Sequence, residues 1–190
     1  MERVRNFLNA SADLKYKVAE SLSEDILNAA NMCLDCIKRG GKLMLMGNGG
    51  SAADSQHIAA ELTGRFKQNR KALAAMALTV DTSSLTALGN DFGFETIFSR
   101  QIEALGQKGD VAIGISTSGN SENVILALEL AKNMGMQTIG FIGNQGGRMG
   151  GIVDIPLIVP SNDTARIQEV HITIGHIICE IIEQEMFDGE

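Results

Sequence analysis

The period of hydrophobic and polar positions changes at Lys42. Before it, Ile26, Ala29, Ala30, Cys33 and Ile37 keep to one face of a 3.6-residue repeat that Gly40-Gly41 ends. The first forty residues read as two helices with no strand between them. After Lys42, short apolar runs (43–46, 74–79, 111–115, 138–142 and 155–159) alternate with helical stretches. The last stretch, from 165 to about 186, places Ile167, Val170, Ile174, Ile177, Ile178, Ile181 and Ile182 at helical spacing and predicts a long helix. Strands alternating with helices imply a parallel sheet covered on both faces. The expected fold is therefore α/β, a three-layer sandwich around five parallel strands, preceded by N-terminal helices. No linker, repeat or low-complexity tract interrupts it. Residues 1–190 read as one domain, with 1–40 a helical extension and 42–190 the α/β core and final helix. The apolar stripes on the terminal helices have more area than one small sheet can cover, which predicts an oligomer joined through the extension.

Composition narrows the function. A net charge of −7 argues against a nucleic-acid partner, which needs a basic face. The longest apolar-leaning run, 72–80, is far short of the ~20 residues of a bilayer helix. Met1-Glu2-Arg3-Val4-Arg5 lacks the apolar core of a signal peptide, so a cytoplasmic protein with no membrane association is expected. Cys33, Cys36 and Cys179 form no disulfide framework. The Cys33-Leu34-Asp35-Cys36 spacing falls on a helical face without a second pair and reads as core, as does Cys179 among isoleucines.

The densest chemistry lies at 114–121. Ser116, Thr117, Ser118, Asn120 and Ser121 crowd six positions between an apolar run and a helical pattern carrying Val124, Ile125, Leu128 and Ala131. A strand that ends in hydroxyls and opens into a helix makes an anion cradle, because backbone N–H groups and the helix dipole favour negative charge there. No lysine lies in the loop, which excludes a Walker-type nucleotide site. An anion held by hydroxyls suggests a sugar phosphate. A second loop, Gly47-Asn48-Gly49-Gly50-Ser51, also follows a strand and precedes a helix, with Ser51 and Asp54 at capping-box spacing. In a doubly wound sheet, ligands lie beyond the carboxyl ends of the strands, so both loops should face one crevice.

His57 and Glu61 follow the second loop at i, i+4, about 40° and ~6 Å apart on a helix. That spacing suits a shared metal or proton as well as a solvated helix face. On the last helix His171 lies about 60° and ~4.5 Å from Gln168, and His176 about 80° and ~12 Å from it. The wheel alone pairs Gln168 with His171. Asn90-Asp91-Phe92-Gly93-Phe94 reads as a turn between helical stretches, and Arg65 and Arg70 as surface charge.

These residues resemble, over essentially the whole chain, the sugar isomerase (SIS) domain superfamily, and within it the phosphoheptose isomerases. The resemblance rests on Gly47-Asn48-Gly49-Gly50-Ser51, His57-Ile58-Ala59-Ala60-Glu61-Leu62-Thr63-Gly64-Arg65 and Gly89-Asn90-Asp91-Phe92-Gly93-Phe94. It continues through Gly114 to Ser121 and Thr164-Ala165-Arg166-Ile167-Gln168-Glu169-Val170-His171, with His176 following. It implies a flavodoxin-like doubly wound fold and a cytoplasmic homotetramer with active sites between subunits. The implied reaction is the aldose–ketose isomerisation of sedoheptulose 7-phosphate to D-glycero-D-manno-heptose 7-phosphate, which feeds lipopolysaccharide core or other surface glycans. It also implies that Ser51, Ser116, Thr117, Ser118 and Ser121 hold the phosphate, and that Asn48, Gly49, Gly50, Asn90, Asp91, Glu61 and Gln168 line the sugar. Glu61 and His176 match the acid–base positions, and His57, Glu61, Gln168 and His176 the ligands of one zinc ion. Ala165 departs from the pattern, since some members carry an acidic residue there. Two rival readings are a non-catalytic SIS-domain module that associates with the replication initiator, and an isomerase of another phosphosugar. Glu61 is the feature that the binding modules lack.

Overall fold

The computed structural model describes residues 1–187. The first element is one helix, α1 (Glu2–Lys38), and not two. The stretch has no Gly or Pro, and Ser21 and Ser23 satisfy their hydroxyls on the carbonyls of Lys17 and Ala19, one turn back. Leu14, Val18, Leu22, Ile26, Ala29, Ala30 and Cys33 form its buried stripe. Five strands follow, β1 (Leu43–Gly47), β2 (Ala75–Ala77), β3 (Val111–Ser116), β4 (Gln137–Ile142) and β5 (Ile155–Ile158). The helices are α2 (Gly50–Thr63), α3 (Thr82–Asp91), α4 (Ser99–Leu105), α5 (Glu122–Asn133) and α6 (Thr164–Phe187). Short 3-10 turns occupy Phe94–Thr96 and Met149–Gly151. α6 begins where the Asp163 carboxylate accepts the N–H groups of Ala165 (3.0 Å) and Arg166 (3.3 Å).

All strand pairs are parallel, in the order β2-β1-β3-β4-β5, the flavodoxin-like doubly wound arrangement. Alternate residues of each strand serve opposite layers. Leu43, Leu45, Ile113, Ile115, Ile139 and Phe141 pack with α1, α2 and α6, whereas Met44, Met46 and Ala112 pack with α4 and α5. α2 leaves β1 on one face and α5 leaves β3 on the other, and β1 and β3 are neighbours. Their carboxyl ends are thus the topological switch point, where a crevice opens.

α2 and α6 run parallel with both N-termini at that crevice. A Cβ on Gly50 would fall 2.4 Å from Gln168 Nε2, one on Gly175 2.5 Å from Ile58, and the residues just beyond α2 meet Glu183. Gly50 therefore lets α6 close on the first turn of α2. Among the described residues no helix is long and apolar enough to cross a membrane.

Candidate active site

Both polar loops lie at the switch point and are tied together. Asn48 and Asn123 exchange amide hydrogen bonds, each 2.9 Å, so the loop after β1 is fastened to the first turn of α5. Ser51 lies inside α2, whose N-cap is Gly49 at φ 56°, and the expected capping box does not form. The Asp54 carboxylate instead accepts from Gln168 Nε2 at 3.4 Å.

In the loop after β3, Ser121 is the N-cap residue of α5 but makes no side-chain cap bond. Its hydroxyl lies 2.8 Å from Ser116 Oγ, and Ser118 Oγ lies 3.4 Å from the same atom. Three hydroxyls therefore gather at the start of a helix, free to turn their protons toward an anion. Arg148, whose backbone N–H meets Asn120 of this loop, has its guanidinium engaged by Glu122. Charge complementarity in the loop rests on hydroxyls, N–H groups and the α5 dipole.

Further along α2 and α6 the titratable groups converge. His57 Nε2 is 2.9 Å from His176 Nε2 and 3.2 Å from Glu61 Oε1. One donor atom from each of the three residues lies within 4.8 Å of the others, a geometry able to hold a metal ion. His57 is exposed and Glu61 and His176 are partly buried, so a ligand can reach them. The Phe66 ring packs 5.7 Å from that of His176. Gln168 sits nearer the loops, bonded to Asp54. Asp54 is buried and its second oxygen has no hydrogen-bond partner. Burial raises its pKa, against the opposing pull of the Gln168 bond and of His57 and His176.

His171, which the helical wheel favoured, points away from this cluster. It is fully buried, 6.0 Å from the Phe141 ring, and burial pushes its pKa down to about 4, against a weaker opposing pull from the Ile142 backbone. It is a neutral core histidine. Asn90 and Asp91 are exposed at the end of α3 and bond to each other at 2.8 Å, without a hydrogen bond to either loop among the described residues. Ala165 is exposed in the first turn of α6. The three cysteines are buried, and burial pushes the Cys36 thiol up to about 11 and that of Cys179 to about 12.

Two features escape a local reading of the sequence. Asp54 shares one face of α2 with His57 and Glu61, at i, i+3 and i+7, but its bond to Gln168 on α6 spans 114 residues. Arg70, expected at the surface, is an almost fully buried cation: its side chain and that of Glu183 are 2% and 3% exposed, paired at 2.9 Å. Glu183 also accepts the N–H groups of Phe66, Lys67 and Gln68, and Arg70 donates to the carbonyls of Glu61 and Leu62 at the end of α2. The pair joins the helix of His57 and Glu61 to that of His176. Its partners are 113 residues apart, so no local pattern reveals it.

A SIS domain profile matches residues 6–143. The chain is 52% identical over 188 residues to the phosphoheptose isomerase of Akkermansia muciniphila, covering 99% of both chains. It is 55% identical over 184 residues to that of Aquifex aeolicus, covering 97% of this chain and 96% of the relative. The solved structure of the Neisseria gonorrhoeae phosphoheptose isomerase superposes with a TM-score of 0.91 at 47% identity, over 96% of this chain and 98% of that one. The chain belongs to the SIS-domain family and, within it, to the phosphoheptose isomerases.

Proposed function

We propose that the protein is an aldose–ketose isomerase converting sedoheptulose 7-phosphate to D-glycero-D-manno-heptose 7-phosphate, the first step of activated heptose synthesis for lipopolysaccharide core or other surface glycans. The observation that carries this reading is the convergence of His57, Glu61 and His176 along α2 and α6, whose N-termini both lie at the crevice. An anion hold lies at one end of the crevice and proton-transfer groups at the other. Ser51, Ser116, Thr117, Ser118 and Ser121 hold the phosphate, and Asn48, Gly49, Gly50, Asn90, Asp91 and Gln168 line the sugar. The imidazole and carboxylate donors fit zinc, which His57, Glu61 and His176 would hold together with the amide oxygen of Gln168. When bound, the metal supplies Lewis-acid polarisation of the C2 carbonyl. Glu61 removes a proton from C1 as the C2 oxygen is protonated, leaving an enediol. The C1 hydroxyl then loses its proton and Glu61 returns a proton to C2, with His176 moving protons at the oxygens.

We also infer a cytoplasmic homotetramer in which residues 1–40 serve assembly and sites form between subunits. Val4, Phe7, Leu8 and Tyr16 on α1 are each more than half exposed. An apolar groove of about 180 Å³ runs between α1 and α6, lined by Val18, Ile26, Leu27, Val170, Ile174 and Ile177. The isolation of Asn90 and Asp91 from the loops of their own chain is consistent with service to a site that another copy completes. A role as a non-catalytic binding module is not favoured, because it leaves the carboxylate of Glu61 beside His57 without use. A coupled assay over a panel of phosphoketoses tests the substrate: sedoheptulose 7-phosphate should give the highest kcat/KM, and preference for another ketose would overturn the assignment.

A further inference from the structure

The hydroxyl loop is held from behind by the segment after β4. Gly119 (φ 68°) lies so close to that segment that a Cβ on it would fall 2.3 Å from the Gly146 carbonyl oxygen. Met149 N–H donates to the Gly119 carbonyl at 3.0 Å, and Arg148 N–H to Asn120 Oδ1 at 3.1 Å. The remaining contact is different in kind. Asn144 Nδ2 donates to the Thr117 carbonyl at 3.0 Å, while Asn144 adopts φ 54°, the one positive φ of a non-glycine among the described residues. A left-handed backbone is strained for most residues and least so for Asn, and such strain persists only where the surroundings hold it. Here it delivers the amide to a peptide group inside the anion loop.

That peptide group is planar and trans, so its C=O and N–H point in opposite directions. Fixing the Thr117 carbonyl on Asn144 fixes the Ser118 N–H pointing away from Asn144. No hydrogen bond within the described chain engages that N–H, although the next two, of Gly119 and Asn120, are bonded to Ser116 O and Ser118 Oγ. We propose that Asn144 is a positioning residue, which locks the Thr117–Ser118 peptide so that the Ser118 N–H is presented to the substrate's phosphate. The proposal rests on the reading of this loop as the phosphate hold. Asn144 acts through the peptide and does not touch the reacting atoms, so its effect belongs to binding.

The test compares full-length, metal-loaded protein with its Asn144→Gly and Asn144→Asp variants. Glycine adopts φ 54° freely but has no donor; aspartate keeps the shape and sets a carboxylate against the carbonyl. Inorganic phosphate affinity is measured by calorimetry, KM and kcat with sedoheptulose 7-phosphate, and thermal midpoint by scanning. Both variants should raise the phosphate Kd and the KM about tenfold, the scale of one hydrogen bond, with kcat within about twofold and a midpoint lowered by no more than a few degrees through loss of the Asn144–Thr117 bond. Retained phosphate affinity in Asn144→Gly overturns the proposal, as does a fall in kcat at constant KM. So does a drop in midpoint of more than about 10 °C that accompanies weaker binding in both variants. Phosphate binding that depends on Asn144 in a protein inactive on the heptose phosphate would sustain this inference while refuting the proposed reaction.

Discussion

Replacing Glu183 by Gln probes the joint between the two helices that carry His57, Glu61 and His176. Its two carboxylate oxygens divide four donors: Oε1 accepts the N–H groups of Lys67 (2.8 Å) and Gln68 (2.9 Å), and Oε2 those of Phe66 (3.3 Å) and Arg70 Nε (2.9 Å). Whichever way a glutamine amide turns, its NH2 meets two N–H donors, and the buried Arg70 loses its counter-charge. Breaking a buried pair from one side costs about 3–5 kcal/mol. For a chain of this size that lowers the midpoint by roughly 10–15 °C. Removing both charges will not restore stability, because the backbone donors of the 66–68 segment remain without an acceptor. Burial alone would raise the pKa of Glu183, but the N–H groups of Lys67 and Gln68, with Arg70, outweigh it and hold it below its ordinary 4.5. The stabilisation is therefore full above about pH 4.5 and is lost as pH falls through the lower folded value. Urea unfolding at fixed protein concentration should show a wide gap between wild type and Glu183→Gln at pH 7 that narrows as pH falls below about 4.5. A gap under about 0.5 kcal/mol at pH 7, or one that does not narrow with acid, refutes the reasoning.

Glu61→Gln should lower turnover by about 10²–10⁴-fold while substrate still binds, with zinc content measured alongside to separate loss of a base from loss of a ligand. Ser118→Ala should do the reverse, weakening binding by roughly 1.5–3 kcal/mol in calorimetry with the metal site intact. Chelation should remove about one metal equivalent per site and abolish isomerisation, and full turnover by metal-free protein would make the histidine cluster a hydrogen-bond network. Light scattering at micromolar concentration should give a tetrameric mass, and a monomer would contradict the role given to the exposed face of α1.

The sheet was legible because its strands are short apolar runs whose alternate residues face two helical layers. β1, β3, β4 and β5 begin or end within a residue of the runs at 43–46, 111–115, 138–142 and 155–159. β2 is shorter than its run because, at the sheet edge, only Ala75, Met76 and Ala77 find partners on β1. The first forty residues form one helix where two were expected, because no Gly or Pro breaks the stretch and Ser21 and Ser23 bond back to the carbonyls one turn earlier. The clustering of His57 with His176 depends on α2 and α6 running parallel in a fixed register, which only the assembled sheet sets. A wheel treats α6 alone, and so preferred His171, which faces Phe141. Arg70 was unreadable for the same reason, since its partner lies on an element 113 residues away.

The parallel course of α2 and α6 has a consequence for chain length. From Gly50 to His57, α2 rises about 10 Å, and the Glu61 side chain leans back toward the helix N-terminus from one turn further on. Under the proposed assignment, the phosphate hold and the proton-transfer groups would stand at two stations along one continuous helix. A ketose with fewer carbons would moor its phosphate among the same hydroxyls, yet its carbonyl would stop short of Glu61. Selection by size would then fall on the reacting end, and a short sugar phosphate would occupy the crevice as an inhibitor and not as a substrate.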